Sequence, residues 1–577
     1  MSDYYREELA ALRVDAAAYA KKYPALAPML AGPGSDPDVE RVLEGAAFLC
    51  ARIRDRLSRN APRLLQNLLR WTFPQALLPL PSMAMMRFRQ QDGFANILRV
   101  PRGTHIASRP VNGVSCIYST DHDVAVPAAQ IVAVRSEPPM RTPWLKVTLH
   151  LRGNSFTRTG FTPLVLHLPG NYGEAAQRFF VLLRQVECLE VKIGGAVHLL
   201  PASAVRPCKF PLRDPRMPLG RRLNRAYMEI VRYFYLPKQL LFVQIEGLDQ
   251  LPGAPQAKEM EISFCIKPPF ERVPGFDRDS FDLGVVCASN IFPAFAEPIT
   301  VDHTQTEYPL HPQDEEVKKL EILSVAGVTG LFPGGRSENY QSYEYLRSAD
   351  SPYVYSVRFL LEGESSNSGQ PEYRLMPLYA DRAGGIDALQ KHVLSVALTC
   401  CNRDLPDSLG IGDICLPTDD SPAQAVFENI TLPSPMQPRP ANDLDYWLYL
   451  SHRSANLLPQ ASAELLRAML LLYIGDNSAA PERVSANRRD CDAILEFSGE
   501  EEERLIRGRP YRGWRLKLVI DPTSFGSLGG MYLFASALER FFGGFTTINN
   551  YARLVLEVAG TGECLEWPPR MGEKQFQ

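Results

Sequence analysis

At about residue 83 the spacing of apolar residues along this chain changes from a helical period to a strand period. Before that point Tyr5, Leu9, Leu12, Ala16, Tyr19 and Tyr23 recur at intervals of 4, 3, 4, 3 and 4. Such spacing places one apolar seam along a helix. Pro24 ends that helix, and Gly32-Pro33-Gly34 reads as a turn. Asp36-Pro37-Asp38 then supplies an N-cap, a proline at the first helical position and an acid in the first turn. Val39, Val42, Leu43, Ala46, Leu49, Cys50, Ile53 and Leu57 make the next apolar face. A third, short helix carrying Leu64, Leu65, Leu68 and Leu69 is predicted to stop at Pro74. The first seam has two readings: it closes on the other two helices, or it is a coiled-coil stripe that meets another chain.

From residue 83 onward, Met83-Ala84-Met85-Met86-Arg87-Phe88 and Leu145 to Leu151 alternate with period two. Prolines punctuate this region. The chain has 48 of them, where average usage in 577 residues gives roughly 29, as edge strands and tight turns require. A strand–helix–strand pattern is predicted at Leu164–Leu168, Glu174–Arg184 and Cys188–Ile193, and again at Trp514–Ile520, Gly529–Phe542 and Leu554–Val558. Tyr373–Leu378 followed by Ile386–Val396 hints at a third copy. These patterns predict an α+β, multidomain fold: a helical N-terminal segment, then β-rich modules with inserted helices. The length is enough for about four domains. The expected divisions are 1–82, 83–210, 211–432 and 433–577.

The formal charge of −3 lacks the basic excess of a nucleic-acid-coating protein. The first residues have no apolar core of a secretory signal. The longest helix-like apolar run, Ala468 to Ile474, falls far short of the roughly 18 residues of a membrane span. The expectation is a soluble, cytosolic chain with no membrane insertion. The 11 cysteines contain no C-x-x-C and are expected to be reduced.

Motifs for nucleotide, acyl-transfer or zinc-protease chemistry are absent. Gly410-Ile411-Gly412 lacks the third glycine of a dinucleotide loop. Asp121-His122-Asp123 places only its two carboxylates on one side of a strand, and His303, Glu307 and His311 lie in a proline-bearing loop. Cys400-Cys401 reads as a structural pair. Glu500 to Glu503, followed by Arg504, Arg507, Arg509, Arg512 and Arg515, reads either as a solvated turn or as a polar docking rim. Tyr233-Phe234-Tyr235, Trp447, Trp514, Phe541-Phe542 and Trp567 read as core aromatics. No catalytic, metal or cofactor site is predicted.

Several motifs converge in order along the chain. They are Tyr5-Arg6-Glu7-Glu8-Leu9, Lys22-Tyr23-Pro24-Ala25-Leu26-Ala27, Asp36 to Gly45, Phe48-Leu49, Arg52-Ile53 and Pro79-Leu80-Pro81-Ser82. Tyr233-Phe234, Asn290-Ile291-Phe292, Ala296-Glu297-Pro298-Ile299, Cys401 to Pro406, Leu538-Glu539-Arg540-Phe541-Phe542 and Trp567 to Gly572 continue the set. This ordered set resembles the TssF (VasA/ImpG) family, baseplate subunits of the bacterial type VI secretion system. The resemblance implies a structural, non-enzymatic protein similar to the wedges of phage-tail baseplates, with no cofactor. It implies assembly with TssG, with two copies of this chain per TssG, and with TssE, the TssK adaptor and the spike hub (VgrG). The implied location is cytoplasmic, docked at the inner-membrane complex. Related wedges pack helices of several subunits into one bundle, which makes Tyr5, Leu9, Leu12, Ala16 and Tyr19 candidate partner-binding residues. Two copies beside one partner also imply semi-rigid joints, expected at Pro207–Pro211 and Pro433–Pro438.

Overall fold

A computed structural model describes residues 2–23, 36–91, 93–94, 96–136, 144–152, 163–211, 216, 224–251, 257–269, 273–313, 319–343, 352–360, 372–379, 390–440, 443–454, 457–475, 480–506 and 508–572. Pro24, the Gly32-Pro33-Gly34 turn, Ile386 and Arg507 lie outside them. The helices among these residues are α1 (Ser2–Lys22), α2 (Pro37–Thr72), α3 (Tyr172–Arg184), α4 (Arg225–Tyr235), α5 (Asp443–Ser454), α6 (Ala463–Ile474), α7 (Pro481–Asp492) and α8 (Leu528–Gly543). The chain divides into a small unit, Met1–Leu77 with Pro440–Ser454, and a large one, Leu78–Arg439 with Ala455–Gln577.

The small unit is helical. Asp36 caps α2 by accepting a hydrogen bond from the Asp38 amide at 2.9 Å, with Pro37 next in line, as the sequence predicts. The second and third predicted helices are in fact one helix of 36 residues. It runs through Pro62, whose low helix propensity is what breaks the pattern in the sequence. Helices α1 and α2 pack antiparallel: Arg13 meets Glu40 at 3.0 Å, while Glu8 meets Arg54 at 3.0 Å. Helix α5 joins α2 near its C-terminal end, where the Phe73 ring meets the Tyr449 ring edge-on at 5.7 Å.

In the large unit, the strand Met83–Gln90 is central. It pairs antiparallel with Val285–Ser289 on one side and Ala425–Asn429 on the other. The six-stranded sheet is completed by Ile117–Thr120, His105–Ser108 and Ile414–Pro417. Strands from residues 83–120, 285–289 and 414–429 thus share one sheet. Its stretch Ala84–Met86 is buried on both faces. Met86 and Phe88 pack with Tyr118, Val286 and Phe427, while Met85 packs with Leu236, Phe242 and Cys287. A continuous apolar run is what a strand between two cores needs.

A five-stranded sheet is built from residues 129–136, 144–151, 186–193, 196–201 and 259–266, and an eight-stranded sheet from strands within residues 292–401. In the C-terminal sheet, Arg509–Ile520 and Asn550–Val558 pair in parallel, with α8 between them in sequence. This βαβ unit matches the sequence expectation. The other two patterns do not form such units. Leu164–His167 and Val186–Ile193 join different sheets, and the predicted helix ending at Val396 gives way to the strand His392–Cys401. That strand alternates buried and half-buried residues from His392 to Thr399, so its period is two after all.

Candidate partner surface

The dispersed titratable candidates serve structure. Asp121 accepts a hydrogen bond from Ser289 Oγ at 2.8 Å, and burial pushes its carboxyl up to about 6. His122 turns to a different neighbour: its ring stacks on Phe210 at 3.8 Å, and burial lowers its pKa to about 3. Asp123 instead accepts from the Arg102 amide. Glu307 is engaged by Arg358 at 3.0 Å and Arg374 at 3.7 Å. His303 lies by the His392 ring. Cys400 and Cys401 are buried, and burial pushes the Cys401 thiol up to about 12. No group of three His, Cys, Asp or Glu placed for a metal ion occurs among the described residues.

The Glu500–Glu503 run is not the turn its charge suggested. It lies in the strand Ile494–Ile506, paired with Arg509–Ile520 in a long hairpin. Glu500 faces Arg515 across the ladder, and Glu503 holds Arg512 at 2.8 Å. Glu502 takes Arg553 at 2.9 Å. Opposite charges directly across a ladder stabilise it modestly. Of the aromatics, Tyr233, Phe234, Tyr235, Phe541, Phe542 and Trp567 are buried; Trp514 is half-buried and Trp447 is exposed.

An exposed apolar stripe lies on the small unit. In α1, Tyr5, Leu9, Leu12 and Ala16 are half-buried, and Tyr19 is 51 % exposed. Glu8 and Arg13 flank the Leu9–Leu12–Ala16 line on either side, and both reach α2. The seam therefore faces α2. The exposed stripe is on α2 itself. Val42 (71 % exposed), Leu49, Ile53, Leu64 and Trp71 (66 %) are spaced 7, 4, 11 and 7 residues apart, close to whole turns of a helix. They form one line roughly 44 Å long at 1.5 Å per residue. Leu68 lies beside it, also exposed. On α5, Tyr446 and Tyr449 are buried while Leu444, Trp447 and Leu448 are exposed on another face. Helical spacing marked Val42, Leu49 and Ile53 as an apolar face. It carried no signal that this face stays uncovered.

Three comparisons bear on what displays such a surface. A family model described as type VI secretion system, TssF matches residues 1–574. The type VI secretion system component TssF1 of Pseudomonas aeruginosa is 27 % identical over 630 aligned positions, covering 99 % of this chain and 98 % of the relative. A chain of the TssK-TssF-TssG baseplate subcomplex of the type VI secretion system, solved by cryo-electron microscopy, is 22 % identical with a TM-score of 0.74, over 93 % of this chain and 99 % of that one. A chain of the type VI secretion baseplate complex is 20 % identical with a TM-score of 0.59, over 99 % of each chain. The two solved chains share the fold, and the family match runs through the exposed stripe and both units: the chain belongs to the TssF family of the type VI secretion system.

Proposed function

We propose that this chain is a structural subunit of a type VI secretion baseplate and that its small unit presents α2 to partner chains. The observation that carries this is the line Val42, Leu49, Ile53, Leu64 and Trp71, exposed along most of one helix. An apolar surface of that extent on a water-facing helix marks an interaction site. Its form suits a bundle with helices of other chains.

The partners are those found with the structural relative, a TssG-like and a TssK-like subunit. Two copies of this chain per TssG-like subunit, with TssE and the spike hub as neighbours, complete the proposed wedge. The assembly sits at the cytoplasmic side of the inner-membrane complex. Tyr5, Leu9, Leu12 and Ala16 fix the hairpin that displays the stripe, and Tyr19 extends the partner surface. The subunit acts as a scaffold without catalysis. The structural partners that Asp121, His122 and Glu307 already hold support this reading.

Co-expression with the TssG-like and TssK-like subunits of the same system, followed by native mass measurement, tests the proposal. The expected species contains two copies of this chain per TssG-like subunit. Purification of this chain alone, with both partners present and folded, overturns it.

A further inference from the structure

A cavity of about 520 Å³ opens in the large unit. Its walls come from Arg87–Gln90 at the end of the central strand, Val126–Ile131, Arg152, Arg278–Asp279 and Phe281–Leu283. Buried Val126, Ile131 and Phe281 give it an apolar floor. Arg87 is fixed in its wall, donating to Asp282 at 2.7 Å and to Glu428 at 2.6 Å. The remaining charges of the lining are Arg89, Arg152 and Arg278 against Asp279. Glu428 stands 3.9 Å from Arg89. Arg89 and Arg278 are both exposed. With Glu428 counted, four arginines stand against three carboxylates, an excess of one positive charge around an apolar floor in a chain of formal charge −3.

The backbone beside the cavity is also informative. Ala129–Ser136, whose first three residues line it, is the last strand of its five-stranded sheet. One long edge has no partner strand among the described residues. An open strand edge offers ladder hydrogen bonds to an extended segment of another chain.

We infer that this cavity takes an acidic, extended segment of a partner protein. Its backbone runs beside Ala129–Ile131, its carboxylates meet Arg89 and Arg278, and an apolar side chain between them rests on Ile131 and Phe281. Arginine suits this role because its planar fork matches a carboxylate. The cavity shares no residue with the α2 stripe, so the two proposals stand or fall independently.

The test uses the full chain and a fluorescent peptide of about eight residues that alternates Glu and Val, read by anisotropy. The wild type is expected to bind it, with affinity falling steeply as salt rises. The double variant Arg89→Glu with Arg278→Glu, at exposed positions and with an unchanged thermal melt, is expected to bind at least about tenfold more weakly. It is expected to gain affinity for the matching Lys–Val peptide. Absence of binding to the wild type overturns the inference, as does equal binding by the double variant. Equal binding of an oligothymidylate of the same charge replaces the peptide site with a general polyanion site and also overturns it.

Discussion

Arg439 meets Glu321 at 2.6 Å with both side chains nearly buried, at 10 % and 7 % exposure. Arg403 reaches the other oxygen of the same carboxylate at 3.2 Å. Glu321 opens the strand Glu321–Leu331, and Arg439 lies between Pro438 and Pro440 in the proline-rich stretch that begins at Pro433. Removing one member of a buried ion cluster leaves the others desolvated and uncompensated. Glu321→Ala is therefore expected to destabilise the large unit by about 3–5 kcal/mol, read as a lower urea midpoint. An unchanged midpoint contradicts this account.

Helix packing at α8 depends on a missing side chain. A Cβ on Gly529 would lie 2.2 Å from the Ala176 carbonyl oxygen on α3, while the Gly529 amide donates to Gln177 Oε1 at 2.9 Å. Backbone cannot yield as a flexible side chain can. Gly529→Ala is expected to cost about 3 kcal/mol or more, whereas Gly526→Ala, with open space around it, is expected to change stability little. Equal unfolding midpoints for the two variants would sink this reading.

Acid sensitivity follows from His122. Burial lowers its pKa from 6.5 to about 3, so the folded state holds it neutral while the unfolded chain protonates below pH 6.5. Its contribution to stability is complete above pH 6.5 and is lost as pH falls toward 3. Between about pH 6.5 and 5 the loss is roughly 2 kcal/mol. Asp121 and Asp490, raised to about 6 by burial, act in the opposite sense: the cost of their buried charge is relieved as pH falls through 6. His122→Phe keeps a ring against Phe210 and is expected to flatten the decline in urea stability across that range. Asp490→Asn, which retains an acceptor for Tyr233, is expected to steepen it. A His122→Phe variant as acid-sensitive as the wild type would refute the assignment.

What the sequence disclosed depended on how local the physics was. The Asp36 cap and the C-terminal βαβ unit were legible because a few adjacent residues determine them. Pro62 hid the continuity of α2, since propensity weighs against helix at that position. The glutamates at 500–503 disguised a strand because glutamate is rare in strands, and their countercharges lie across the ladder at Arg515 and Arg512. The stretch Pro433–Pro438 read as a joint, yet Ser434 exchanges hydrogen bonds with the Met83 backbone and Gln437 pairs with Leu80. Proline composition reports stiffness, not whether distant strands hold the segment. The partner surface was the least legible feature. Leu9 and Leu49 look alike in a helical pattern, and only the fold shows that one faces α2 and the other faces solvent.

The α2 stripe is the proposed surface through which this chain joins its partners. The most direct measurement is co-purification of Leu49→Asp with Ile53→Asp against a TssG-like partner, with thermal melts to confirm folding. Both residues are exposed, so the variant is expected to melt as the wild type does and to recover at least about tenfold less partner. Undiminished complex from the folded double variant would contradict the account.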